Sequence, residues 1–220
     1  MNKDPEFPPE PPYDCALCPR LVNFLEEHRA AHPDWFNGPV PSFGPETARF
    51  LVLGLAPGLQ GANKTGRPFT GDYAGDLLYA TLEQEGFTSG TYGAHADDGL
   101  ELVDCMISNS VRCVPPQNKP IGAEINACRG FLKARLNALP ELQVILALGR
   151  IAHDTLLRTY GLKLSAYPFG HNAVHLIEAE GLPSVTFVDS YHCSRYNTNT
   201  GRLTPQMFTA AIRTVKAKIK

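Results

Sequence analysis

Phe50-Leu51-Val52-Leu53 runs straight into Gly54-Leu55-Ala56-Pro57-Gly58-Leu59-Gln60-Gly61-Ala62-Asn63-Lys64-Thr65-Gly66-Arg67-Pro68-Phe69-Thr70-Gly71-Asp72, and a helical pattern starts near Ala74. The four apolar residues read as the core of a buried strand, Arg49–Leu55. An ordinary connection after such a strand is about 2–6 residues. This one is far longer, rich in glycine, and carries Asn63, Arg67, Phe69 and Asp72. Ligands of open α/β sheets bind beyond the carboxyl ends of strands, so the stretch reads as a binding loop. It has neither the Gly-Lys-Ser/Thr of a triphosphate loop nor the glycine spacing of a dinucleotide loop, which disfavours both chemistries.

Working outward, Leu21–Arg29 reads as a short helix ending before His32-Pro33, and residues 36–43 as loop. Asp76–Glu83 has apolar residues at helical spacing and stops at Gly86. Residues 88–99 are rich in Gly, Asp and Ser and read as a surface loop. A second strand lies within Leu102–Arg112, interrupted by Ser108, Asn109 and Ser110 where a plain core strand would be apolar. Residues 114–120 are loop, a helix covers about Ala123–Leu139, and Val144–Gly149 is a buried strand running into a helix near Arg150–Tyr160. Ser184–Asp189 is the last strand, and a final helix runs from about Thr204. Strands alternating with helices imply a mostly parallel sheet covered on both faces. Residues 54–72, 108–119 and 190–204 are then the candidate segments beyond the carboxyl ends of its strands.

At 220 residues the chain reads as a proline-rich arm over 1–12, extended or mobile, followed by one domain over 13–220. The formal net charge of −2 does not advertise nucleic acid, but a basic footprint is local and can be offset elsewhere. No apolar run is long enough to span a membrane, and the N-terminus lacks a signal peptide's apolar stretch; the reading is a cytoplasmic protein. In a reducing compartment six cysteines are not first a disulfide set. Cys15 and Cys18 form a close pair, Cys113 and Cys128 follow at a distance, and four thiolates suit zinc or an iron–sulfur cluster. Buried free thiols are the plainer alternative.

Single residues admit two readings each. Phe69 is a plug holding a polar loop to the domain, or a stacking surface for a flat ring. Asp72 caps the following helix, or serves catalysis. Asn109 is a structural bracket inside a strand, or a reader of an amide-like edge such as uracil presents. His192 is a half-buried structural histidine, or a donor to a ligand. The polar series from Asn197 to Arg202 is a set of turns, or a phosphate contact.

Taken together, Gly54-Leu55-Ala56-Pro57-Gly58, Gly61–Asp72, Asn109–Cys113 with Pro115–Pro120, and His192–Thr204 resemble the uracil-DNA glycosylases of family 5, the iron–sulfur type called type b. The resemblance covers nearly the whole chain after the arm. It implies a three-layer α/β/α sandwich around a central four-stranded parallel sheet, and a 4Fe-4S cluster on Cys15, Cys18, Cys113 and Cys128. It implies that Ala56, Gly58, Phe69 and Asn109 surround a flipped base, with Phe69 stacking and Asn109 pairing with the polar edge. His192 would hydrogen-bond a uracil carbonyl. Leu55-Ala56 cannot polarise water, so Asp72 is the replacement candidate, with Asn63 positioning water or base beside it. Ser194, Arg195, Tyr196 and Asn197 would contact DNA, Arg195 and Tyr196 as a wedge. One departure is that the family's usual His-Pro-Ser is here His192-Cys193-Ser194, which frees φ and adds a thiol beside the site.

The expected activity is removal of uracil and related deaminated or damaged bases from double-stranded DNA by a monomer, leaving an abasic site. Hydrolysis moves no electrons, so the cluster would be structural. The competing class is an iron–sulfur DNA-damage or redox-sensing binding module that releases no base; a zinc-structured nucleotide-binding protein is a third.

Overall fold

A computed structural model describes residues 7–220. In chain order its elements are α1 (Pro19–Ala31), β1 (Phe50–Gly54), α2 (Ala62–Thr65), α3 (Tyr73–Gln84), β2 (Thr88–Ser89), β3 (Glu101–Leu102), β4 (Cys105–Asn109), α4 (Gly122–Asn137), β5 (Val144–Leu148), α5 (Arg150–Thr159), β6 (Val174–Ile177), β7 (Val185–Ser190), α6 (Arg195–Asn199) and α7 (Pro205–Lys216). The main sheet has the order β4-β1-β5-β7-β6.

Side chains of β1 alternate between two cores. Phe50 and Val52 join Leu78, Leu82, Phe208 and Ile212 of α3 and α7, while Leu51 and Leu53 join Leu132, Leu136, Leu156 and Leu157 of α4 and α5. Burial on both faces is why the strand is a continuous apolar run. The result is the expected α/β/α layering.

The sheet corrects the expected strand number. β4, β1, β5 and β7 are parallel, and β6 adds a fifth, antiparallel strand on β7. Its Val174 and Leu176 face outward while Ile177 is buried, so β6 carries no apolar run to betray it. At the opposite edge Phe43 pairs with Ile107 and covers β4. Among the described residues no helix is long and apolar enough to cross a membrane.

The arm also departs from expectation where it is described; residues 1–6, with Pro5, lie outside the described residues. Phe7 stands edge-on to Phe131 of α4, ring centroids 4.8 Å apart, over Gly130, where a Cβ would fall 2.5 Å from the Phe7 ring. Glu10 accepts from Arg112 at 2.6 Å and from Arg135 at 2.8 Å. Residues 7–12 are therefore docked, because two largely buried guanidinium groups need that carboxylate.

Candidate active site

The site begins with two neighbouring strand ends. Gly54 and Asn109 pair in register, and a Cβ on Gly54 would stand 2.3 Å from Asn109 Oδ1 and 2.7 Å from the Phe69 ring. Only glycine lets these two side chains occupy the same corner. Asn109 is 2% exposed and its Oδ1 has no hydrogen-bond partner. A buried amide oxygen left open costs about 1–3 kcal/mol unless a ligand satisfies it.

Phe69 reaches this corner from the far end of the long loop. Its φ of +53° is uncommon for a bulky residue, and its surroundings hold it there. Arg67 donates to both oxygens of Asp98, at 2.7 and 2.6 Å, and to Thr70 Oγ1. The Arg67 guanidinium lies over the rings of Phe43, Tyr79 and Tyr92. Tyr79 donates to the Pro68 carbonyl, and Gly75 leaves room for the carbonyl of Phe69. The Arg67 guanidinium holds the Asp98 carboxyl well below the usual carboxylate range. Residues 88–99 are thus more than the expected surface loop, since Asp98 is the buried anchor of the binding loop.

Asp72 caps a helix and also borders the cavity. It is the N-cap of α3, Oδ1 accepting from Gly75 N at 2.9 Å. Its other oxygen lies over Gly58 and Gly61, where Cβ atoms would approach to 3.1 and 2.7 Å, and the residue lines the cavity. One oxygen is spent on the helix and the other is left for the site.

The third contribution follows β7. The His192 ring stacks against Phe69 with centroids 6.0 Å apart and planes 28° from parallel. Asn197 Nδ2 donates to the His192 carbonyl at 2.8 Å, and Ser194 caps α6. Burial pushes the His192 imidazole below its ordinary value, partly opposed by the Asp72 charge; at neutral pH it is an uncharged ring with one N–H to donate. Cys193 points away from the cavity into the core, its Sγ 3.4 Å from the Ala74 carbonyl. The thiol that replaces the family's proline thus ties the His192 loop to the first turn of α3.

These segments enclose a cavity of about 390 Å³ lined by Ala56, Gly58, Phe69, Asp72, Asn109 and His192, with Ser194 and Arg195 at its rim. Asn63 stands outside this set: fully buried, it donates through Nδ2 to Asn37 Oδ1 at 2.9 Å. Its Nδ2 is engaged by Asn37, while its Oδ1 is buried without a partner among the described residues. Tyr196 and Asn197 do not line the cavity either; Tyr196 is 72% exposed beside its mouth. Two further polar lining residues, Tyr73 and Asn118, had no role assigned from sequence. Tyr73 follows Asp72 and lies under the Arg195 guanidinium, 5.2 Å from the ring centroid. Asn118 enters from the proline loop, where Gln117 and Asn118 both have φ of +56°; two successive left-handed residues that are not glycine leave no pattern to read in advance.

The four expected cysteine ligands meet elsewhere. Cys15, Cys18, Cys113 and Cys128 line one small cavity with Leu21, Val111 and Phe131, and the Arg112 backbone N–H donates to Cys128 Sγ at 3.4 Å. Burial and the neighbouring thiols push Cys18 up to about 11, and Cys113 is raised further. Among the described residues no three His, Cys, Asp or Glu side chains converge as the shell of a single metal ion. Four sulfurs facing one apolar hollow fit a polynuclear iron–sulfur group, whose ligands stand further apart than those of one ion.

Comparisons with known proteins agree with this geometry. The profile of the Uracil DNA glycosylase superfamily matches residues 41–216. A relative from Thermus thermophilus named a type-5 uracil-DNA glycosylase is 45% identical over 208 residues, 92% of each chain. One of the same name from Mycobacterium leprae is 40% identical over 210 residues, 92% of this chain and 90% of its own. A type-4 uracil-DNA glycosylase from Archaeoglobus fulgidus is 30% identical over 154 residues, 70% of this chain and 69% of its own. With an amide, a carboxylate and a neutral imidazole around one aromatic-walled cavity, and with relatives matched almost end to end, the chain belongs to the type-5 branch of the uracil-DNA glycosylase superfamily.

Proposed function

We propose that this chain is a monofunctional DNA glycosylase that removes uracil and related deaminated or damaged bases from double-stranded DNA, as a monomer, and leaves an abasic site for base excision repair. The observation that carries the proposal is the buried, unpartnered Asn109 oxygen in one cavity with Asp72 and His192. Uracil presents an N–H beside two carbonyls, so Asn109 Oδ1 accepts from the ring N–H and Nδ2 donates to the neighbouring carbonyl. Phe69 takes the face of the ring.

In the reaction the C1′–N1 bond breaks, a water oxygen bonds to C1′, and the base leaves with the bonding electron pair. The transition state carries positive charge on the sugar and negative charge on the base. The open oxygen of Asp72 suits the first, orienting water and taking its proton. The His192 N–H suits the second, donating to the uracil carbonyl where charge gathers. Asn63 acts as a bracket under the loop, leaving the water to Asp72. Unpairing costs a few kcal/mol and least at a mismatch, which favours a G·U pair. Among the described residues no lysine lines the cavity.

Cys15, Cys18, Cys113 and Cys128 would hold a 4Fe-4S cluster, which supplies a structural tie between the segment before α1 and the segments around Cys113 and α4. The test is release of free uracil and an alkali-labile abasic site from a G·U duplex by iron-loaded protein. Release that is lost in Asp72→Asn supports the reading; DNA binding without any release overturns it.

A further inference from the structure

Six arginines among the described residues pair with carboxylates: Arg20, Arg49, Arg67, Arg112, Arg135 and Arg213. Among the described residues Arg150 and Arg202, both exposed, have no such partner within 4 Å, and Asp154, one turn along α5, makes no ion pair with Arg150. Instead each guanidinium lies on an aromatic face. Arg202 is 4.6 Å from the Tyr191 ring centroid and Arg150 is 5.8 Å from that of Phe169. The two rings are 6.0 Å apart, and His171 stacks on Tyr191 at 5.2 Å. The run Arg202, Tyr191, Phe169, Arg150 is therefore continuous.

Its support is buried. Asp189, fully enclosed at the end of β7, meets His153 at 2.8 Å and receives the Gly170 N–H. His153 meets the Tyr167 carbonyl through its other ring nitrogen at 3.0 Å. Backbone bonds from Asn172 N to the Asp189 carbonyl and from Asp189 N to the Ala173 carbonyl fasten the two segments together. The aromatic stack is thus held on a rigid strand end. Tyr191 immediately precedes His192, and Gly149, immediately before Arg150, faces the His192 Cβ. Both ends of the run therefore border the loop that carries the cavity's histidine, yet neither arginine lines the cavity.

We propose that Arg150 and Arg202 form a second contact platform for the phosphates of the strand whose base occupies the cavity, outside the rim where Arg195 lies on Tyr73. This rests on the reading of the cavity as a nucleobase site. A base held at Phe69 and His192 carries its backbone past the residues next to His192, and each nucleotide brings one negative charge. Guanidinium groups held flat on rings and free of carboxylates keep their outward N–H groups for phosphate oxygens. The arrangement gives a chain of net charge −2 a local cationic edge for a polyanionic partner, Arg150 and Arg202 being without a carboxylate partner among the described residues.

The test is equilibrium binding of the full-length, iron-loaded protein to a duplex bearing a non-hydrolysable abasic-site analogue, measured across NaCl concentrations. Neutralising a phosphate contributes about 0.9 to the slope of log K against log salt. Arg150→Gln with Arg202→Gln should lower that slope by about 2, and Arg150→Lys with Arg202→Lys should restore most of it, separating charge from packing. Arg158→Gln, at the other end of α5, should leave it unchanged. An undiminished slope and affinity in the Gln pair overturns the platform even if uracil is released normally. Reduced slope without any uracil release sustains the platform and sinks the glycosylase reading instead.

Discussion

The base cavity takes Gly54, Asn109 and the residues after Ser190 from the ends of neighbouring strands in one sheet. The thiol cavity takes Cys15 and Cys18 from ahead of the first helix, Cys113 from a loop and Cys128 from α4. In the first, strand register fixes the lining groups. In the second, two of the cysteines lie on the N-terminal segment, which is docked with Glu10 between Arg112 and Arg135. Preorganisation by a sheet and assembly by a docked segment should fail differently, and substitutions can separate them.

The largest effect is expected at Asp72. Asp72→Asn should cut the single-turnover rate of uracil release by about 10²- to 10⁴-fold, the usual worth of a positioned base. Iron content and melting temperature should stay close to the parent, because asparagine still caps a helix. An unchanged rate would move water activation elsewhere. Glu10→Ala should break the thiol side. Arg112, 1% exposed, would keep a buried charge without its carboxylate, a change worth about 3–5 kcal/mol. Urea unfolding and iron per chain should fall together; retained iron would show that the docked segment is dispensable.

A smaller change is expected at Gly54→Ala. The added methyl group overpacks Asn109 and Phe69 at a cost of about 1–3 kcal/mol. It should weaken base recognition, read as a raised KM for the uracil duplex, while leaving iron content intact. The smallest effect concerns pH. His171 and His192 both have imidazoles held below 6.5 by burial. Below pH 6.5 the unfolded chain takes up protons that the folded chain refuses, so stability should fall as pH drops through that value. His171→Gln should flatten this part of the urea-midpoint profile, and an unaltered slope would refute its share.

Much of this plan could be read in advance, for reasons particular residues make plain. β1 and β5 are buried on both faces and so are continuous apolar runs. Asp72, Asn109 and His192 each follow a recognisable strand or loop. β6 was hidden because its apolar residues Val174 and Leu176 face solvent. Asp98 was hidden because its partner Arg67 is 31 residues away and its own neighbours are the residues of an ordinary surface loop. The docking of residues 7–12 was hidden because proline-rich sequence says how a chain is stiffened, not what a glutamate among the prolines will meet. Asn63 lies outside the cavity lining because a neighbour, Asn37, accepts from its Nδ2 and holds it beneath the loop, a contact 26 residues away that its own sequence surroundings do not show.

Ala56 belongs to both regions, lining the larger cavity and packing against the cluster of Leu21, Val111, Cys128 and Phe131 that Cys15, Cys18 and Cys113 also flank. Its methyl group is in effect an insulating partition. A carboxylate there would be pressed against the apolar cluster of Leu21, Val111, Cys128 and Phe131, so the residue's neutrality suits that side of the wall. Ala56→Asp should therefore register first as lower iron retention. If iron is retained, the partition is only a spacer, and position 56 is open to chemistry after all.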